Sequence, residues 1–426
     1  MQGNKPNRAQ ANAAPTLSTD SVQVTPQLCP NRFPNPGWGG GLRSMSRGFL
    51  SGAVGLGGGV GSYRALRVTC LGAGKGGWSM SERGDRYGAH RVIEPRGVLT
   101  QAAWRIDNDM ERLYDNEILC EVDVLNIDSA SFTQIRRAAG DDPERIAQII
   151  LDTVAERGKQ HNPVTGSGGM FIGRVLRAGP ALEGRVRLAP GDRIASLVSL
   201  SLTPLEIDRV RAVHLESDQV EIEGRAVLFE SGVWTGLPDD MSDKVALAAL
   251  DVAGAAAQTA RLVKPGDTVL IIGAGGKSGM LCAYEARKRA GVTGRVIGIE
   301  HAAPAIARIR ELGFCHEVIV SDAVKPVASH QAFLAATGGT PADVTINCVN
   351  IEDSEMTAIL STKGTGVVYF FSMATSFTKA ALGAEGIGSD VTMLIGNGFA
   401  RGHAATTLEL LRESPRLRAV FEELYG

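Results

Sequence analysis

Apolar and polar positions change rhythm twice along the chain. From Glu117, outward acids alternate with inward aliphatics through Ile118-Leu119-Cys120-Glu121-Val122-Asp123-Val124, the period-2 pattern of a half-buried strand. Short strand-like runs follow, Met170 to Leu176 and Arg193 to Leu200 among them, separated by Gly/Pro turns such as Pro190-Gly191-Asp192. One helix interrupts them from Pro143 to Arg157, where Ile146, Ile149, Ile150 and Val154 recur at helical spacing. Residues from about 85 to about 240 therefore read as a mostly β domain.

Past Lys264 the pattern becomes strand, helix, strand. Asp267 to Ile272 reads as a buried strand and Ser278 to Arg289 as a helix. Then come strand Arg295 to Ile299, helix Pro304 to Leu312, and strands Val318 to Val320, Val344 to Cys348 and Gly366 to Phe371. Strands alternating with ten-residue helices predict an α/β unit with a parallel, doubly wound sheet. An apolar stretch from Val245 to Ala257, broken by Asp251, precedes it as a helix, and helices Thr406 to Arg412 and Leu417 to Leu424 close the sequence. The expected domains are 80–240, 241–400 and a helical 401–426 that packs back on the first.

Composition adds a third segment. The chain has 426 residues, 44% hydrophobic and 21% charged, with a formal net charge of −2. Residues 1–79 hold sixteen glycines and eight Lys+Arg but one acid, Asp20, so the remainder carries 36 basic against 45 acidic side chains. Glycine-dense chain has little to bury and loses much entropy on ordering, so this segment is expected to be a disordered tail. A targeting peptide and a basic arm are alternatives; the favoured expectation is that Met80 is the true start, since no amphipathic period runs through the segment. An acidic remainder excludes a general nucleic-acid footprint, and no apolar run approaches the roughly 18 residues of a membrane span. Six cysteines without a CxxC pair suit free thiols in the cytoplasm.

The candidate chemistry lies in Gly273-Ala274-Gly275-Gly276-Lys277-Ser278-Gly279, between a predicted strand and a predicted helix. Gly273, Gly276 and Gly279 allow backbone N–H groups to approach a pyrophosphate at a helix N-terminus, with Lys277 and Ser278 serving the phosphates. A Walker A loop would need glycine where Ile271 stands, so a P-loop is rejected. Glu300, ending the second strand, can accept hydrogen bonds from ribose hydroxyls and repels a 2′-phosphate, which favours NAD over NADP, although His301 leaves room for NADP. Asn347 and Asn350, beside Cys348, end a buried strand at the sheet edge where such folds bind ligands; Cys348 itself reads as a small buried hydrophobe.

The β-rich domain, the Lys-Pro-Gly-Asp-Thr-Val-Leu entry and this turn resemble the medium-chain dehydrogenase/reductase superfamily. Arg91 to Pro95, Leu125 to Ile135, Asn162 to Gly169 and Ile271 to Tyr284 are similar, within it, to the L-erythro-3,5-diaminohexanoate dehydrogenases of lysine fermentation. The resemblance covers residues from about 85 to 426. It implies a GroES-like catalytic domain joined to a Rossmann-type domain, NAD-dependent oxidative deamination of a small diamino acid, and a homo-oligomer, dimer or tetramer. Ungapped comparison sets Asp128, Gly169 and Ala248 at the positions of the superfamily's zinc ligands, so no catalytic zinc is expected. Asp128, with Ser129 beside it, is the candidate to bind or deprotonate an amine, its alternative being a turn cap. Asp251 is the candidate for a second amine. Lys159 and His161 are candidate proton shuttles. A zinc-free quinone or enoyl reductase using NADPH, and a non-catalytic dinucleotide-binding protein, remain the competing readings.

Overall fold

A computed structural model describes residues 82–162, 166–396 and 398–426; the expected tail, residues 1–79, lies outside them. The first half is built on an antiparallel sheet. Its elements are β1 (Val92–Glu94), β2 (Arg105–Ile106), β3 (Glu117–Asn126), α1 (Ser129–Ala139), α2 (Pro143–Arg157), β4 (Met170–Ala178), β5 (Arg193–Ser196), β6 (Leu205–His214), β7 (Gln219–Phe229) and β8 (Trp234–Gly236). Six of the strands form one sheet in the order β6-β7-β3-β4-β5-β8. One face of it buries Ile118, Val122, Phe171 and Ile222 against Phe132 of α1 and Ile146 and Ile150 of α2. The predicted helix over 143–157 is present, but α1 precedes it. Its few apolar residues hide it from periodicity; its end signals are Asp128, which caps the N-terminus, and Gly140, left-handed at φ 69°. The strand expected to reach Leu200 stops at Ser196, because a single 3₁₀ turn occupies Leu200–Leu202.

Two helices lead into the second half: α3 (Asp243–Asp251) and α4 (Ala253–Leu262). Their axes bend by 51° at the break after Asp251, so the interruption of the apolar stretch is a true helix end. No single helix among the described residues is long and apolar enough to cross a membrane. Then follow β9 (Thr268–Ile272), α5 (Lys277–Ala290), β10 (Arg295–Glu300), α6 (Ala303–Leu312), β11 (Glu317–Val320), α7 (Pro326–Thr337), β12 (Ala342–Asn347), α8 (Glu355–Ser361), β13 (Thr362–Phe370), α9 (Phe377–Gly386), β14 (Thr392–Ile395), α10 (His403–Glu413) and α11 (Pro415–Tyr425). The strands are all parallel in the order β11-β10-β9-β12-β13-β14. Counted from β9 this is 3-2-1-4-5-6, the Rossmann order, and the crevice for a dinucleotide opens where it reverses, between β9 and β12.

Met170, Ile172 and Ala195 of the antiparallel sheet pack into the same core as Val245 and Leu247 of α3 and Val269 and Ile271 of β9, which ties the two halves together. Helices α10 and α11 belong to that core through Leu408, Leu411, Leu417 and Phe421. They pack on α3, α4 and α5. Their apolar stripes meet α3 to α5, while Arg412 and Arg418 bond to Asp240 and the end of α11 borders the β6–β7 turn.

Candidate active site

The glycine turn stands as the sequence predicts, between β9 and α5. Gly273 is left-handed at φ 80°, a conformation that disfavours any residue with a side chain. A Cβ on Gly279 would lie 2.0 Å from the Gly273 carbonyl oxygen, so α5 can approach the strand this closely only without one. Gly276 caps α5 with no side-chain hydrogen bond, and a Cβ there would meet nothing nearer than 3.5 Å. Gly276 is exposed at the start of α5, and the N–H groups of Lys277, Ser278 and Gly279 in the first turn have no intrahelical acceptor, with the positive end of the helix dipole behind them. This cradle fits the pyrophosphate of a dinucleotide. Glu300 and Arg308 brace it. Glu300 Oε2 accepts from Gly275 N–H at 3.0 Å and Oε1 from His301 N–H at 2.9 Å, while Arg308 donates to the Gly275 carbonyl at 2.7 Å.

Beside the cradle four elements converge on one charged cluster. Lys277, the first residue of α5, does not extend its ammonium into the turn. Nζ donates to Asp251 Oδ2 at 2.7 Å and lies 5.6 Å from the Tyr425 ring centroid. Burial disfavours its charge, but Asp251 more than offsets that and raises its pKa. Asp251 is in place because α3 ends there. From the antiparallel sheet comes Asp218, at the β6–β7 turn, left-handed at φ 58°. Its Oδ2 accepts from Ser129 Oγ at 2.7 Å, and its carbonyl accepts from Ile127 N–H at 3.0 Å. Burial raises its pKa; Ser129 and Lys277 oppose the shift and Asp251 adds to it. The phenol of Tyr425 is likewise raised by burial, and feels both carboxylates and the cations Lys277 and Arg308. A cavity of about 360 Å³ opens next to the cluster, lined by residues 213–217, Lys244 and the end of α11.

The remaining candidates fall in four places. Asp128 is an N-cap: Oδ1 accepts from Ser131 N–H at 3.0 Å and Oδ2 from Ser131 Oγ at 2.6 Å, so both oxygens are engaged and the turn-cap alternative describes its geometry. Ser129, its neighbour, points instead at Asp218. Asn347 is fully buried and occupied with Ser354 Oγ and Val349 N–H, which makes it a brace for the strand end, whereas Asn350 is exposed there and accepts from Ser372. Ser278 is buried in the first turn of α5. Cys348 Sγ lies 3.9 Å from Cys282 Sγ, and burial pushes the Cys282 thiol well up, the behaviour of packing groups. Burial and the charges of Lys159 and Arg157 lower the His161 pKa to about 4, so this ring is neutral at pH 7; Lys159 is held by three carbonyls. Neither touches the charged cluster.

At Gly169 a Cβ would lie 1.9 Å from the Asn126 carbonyl oxygen, so no ligating side chain can stand there. Among the described residues no group of three His, Cys, Asp or Glu could hold a metal. Sequence reasoning did not single out Asp218, Arg308 or Tyr425. A turn acid between two strands, an arginine on an amphipathic helix and a helical tyrosine carry no spacing signal, and only the fold brings them together.

A family model described as the L-erythro-3,5-diaminohexanoate dehydrogenase N-terminal domain matches residues 90–238. The L-erythro-3,5-diaminohexanoate dehydrogenase of Acetoanaerobium sticklandii is 57% identical over 343 residues, 80% of this chain and 99% of that protein. The enzyme of the same name from Fusobacterium nucleatum subsp. nucleatum is 56% identical over 344 residues, 81% and 99% of the two. Among solved structures, CurK enoyl reductase aligns over 72% of this chain and 87% of that one, at 16% identity and a TM-score of 0.46.

Proposed function

The chain belongs to the L-erythro-3,5-diaminohexanoate dehydrogenase family, and from that premise we propose that it oxidatively deaminates this diamino acid with NAD, yielding 5-amino-3-oxohexanoate, ammonia and NADH as a cytoplasmic step of lysine degradation. One observation carries the reading. The cluster beside the dinucleotide cradle holds two carboxylates and one lysine, Asp218, Asp251 and Lys277. The substrate has two ammonium groups and one carboxylate, the mirror image of that set. Asp251 and Lys277 neutralise each other, which leaves the Asp218 carboxylate in surplus; a quinone or enoyl substrate would offer nothing to neutralise it, and desolvating it unpaired is costly.

The bound nicotinamide supplies the hydride acceptor. The chain's own residues do the rest. The α5 N-terminus and the glycine turn hold the pyrophosphate, and Glu300 meets the adenosine ribose, favouring NAD. The Lys277–Asp251 ion pair offers the substrate carboxylate a cation on one side and an ammonium a carboxylate on the other, so that C3 is held in one orientation. Loss of a proton from the C3 ammonium and of hydride from C3 leaves an iminium, which water converts to the ketone and ammonia. The balance is one diamino acid, one NAD and one water to one keto acid, one ammonium, one NADH and one proton.

Incubating the protein with NAD and L-erythro-3,5-diaminohexanoate, and measuring NADH and ammonia together, tests this. Equal amounts of both are expected. NADPH consumption with a quinone or enoyl substrate, and no ammonia from the diamino acid, would replace the reading.

A further inference from the structure

We propose that Asp218 is the base that takes the proton from the reacting C3 ammonium, and that Ser129 is its positioning residue. The inference rests on the deaminase reading above and deepens it. Three carboxylates stand near the site, and their hydrogen bonds separate them. Asp128 has both oxygens committed to Ser131, and in doing so closes the first turn of α1. Asp251 is ion-paired with Lys277 at 2.7 Å. Asp218 and Asp251 each keep one oxygen without a hydrogen-bond partner among the described residues, but Asp251 is already held by a cation, whereas Asp218 is oriented by a neutral hydroxyl, with Oδ2 accepting from Ser129 at 2.7 Å.

Its position also suits the step. The carboxylate comes from the antiparallel half of the molecule and is near enough to Asp251 and Lys277 of the dinucleotide half to feel their charges, so an amine bound between the halves would come within its reach. The titratable and charged groups around it are Arg136 on α1, Asp251 at the end of α3, Lys277 on α5 and Tyr425 on α11, with the Ser129 hydroxyl in direct contact. Partial burial holds its proton affinity above that of an ordinary carboxylate, as a group that must accept a proton from an ammonium requires. In the step, the N–H electron pair stays on nitrogen as the proton passes to Asp218. The C3–H pair then leaves to the nicotinamide as the C=N bond forms, and the proton on Asp218 is released to water after the product departs.

Asp218 sits in the left-handed region at φ 58°, which Asn and Gly also tolerate, so D218N and D218G remove the base without straining the turn. In the full-length enzyme, kcat for the diamino acid is expected to fall ~100- to ~10,000-fold in both variants, with NADH affinity and Tm near those of the wild type. The acid limb of the wild-type pH profile, placed above the usual carboxylate range, should vanish in D218N. In S129A it should move to higher pH, because the hydroxyl favours the ionised carboxylate; a merely structural serine would leave it in place. An acid limb unchanged in D218N, or a kcat within a few fold of wild type, would overturn the assignment while leaving the substrate reading intact. A wild-type enzyme that oxidises some other primary amine, but not this diamino acid, would overturn the substrate reading. In that event the same loss in D218N on that amine supports the base, and its absence overturns it.

Discussion

Lys159 is a fully buried cation that no carboxylate neutralises among the described residues. Three main-chain carbonyls take that place, with Nζ 2.5 Å from Thr100 O, 2.9 Å from Ser201 O and 3.2 Å from Gln101 O. They tie the Thr100–Gln101 loop and the turn at Ser201 to the Gln160 to Asn162 segment, whose Asn162 reaches Ser131 Oγ at 3.1 Å and thereby the cap of α1. Burial, assisted by the charge of Arg157, lowers the Lys159 pKa from 10.5 to about 8. The unfolded chain therefore binds more protons than the folded one between those values, and linkage makes stability rise with pH across that window. Below pH 8 both states are protonated and the penalty is constant; above 10.5 it is gone. Denaturant unfolding at several pH values from 7 to 11 should show wild type gaining roughly 3 kcal/mol relative to Lys159→Met as pH climbs through the window. A difference that stays flat would mean that the carbonyls solvate the ammonium fully.

Between residues and domains, the strand-to-helix turns decide what binds. Glu300 ends β10 because the next residues turn into α6, and its carboxylate is fixed by Gly275 and His301 N–H groups beside the cradle. A 2′-phosphate placed there would meet a negative charge held rigidly, so kcat/KM should favour NAD over NADP, and Glu300→Ser should narrow the ratio by about tenfold or more. A wild-type preference for NADP would show that Arg308, on the other side of Gly275, governs the choice instead. These turns were legible in the sequence because glycine spacing between a period-2 run and a period-3.6 run is a local signal. The strands β3, β4, β9, β10 and β12 and the helices α2, α5 and α6 were legible for the same reason, within a few residues. Helix α1 was not, since only Phe132 and Ile135 interrupt its polar residues with large apolar ones. Helices α7 to α9 and strand β14 were missed as well. For α7 the reason is plain: apolar residues go nearly all the way round it, which leaves no periodic face to detect.

At the scale of the whole molecule, the charged cluster exists only because two halves share one core. Asp218 is delivered by the β6–β7 hairpin, Asp251 and Lys277 by the helices flanking β9, and Tyr425 by α11. No sequence spacing could reveal that set, since its members lie 26 to 207 positions apart. What the set does require is the part of the chain shared with the family. The Acetoanaerobium sticklandii relative is matched over 99% of its length by 80% of this chain, so about a fifth of this chain has no counterpart in it. The family match begins at residue 90, and residues 1–79 are rich in glycine, almost free of acids and without a periodic apolar face. A variant beginning at Met80 should therefore express as folded protein, melt within a few degrees of the full chain, and keep kcat and KM for the diamino acid within about twofold. Calorimetry and steady-state kinetics on the two proteins side by side decide the point. Insoluble protein, or a large loss of turnover with the fold intact, would give the first 79 residues a structural or catalytic part that their composition does not suggest.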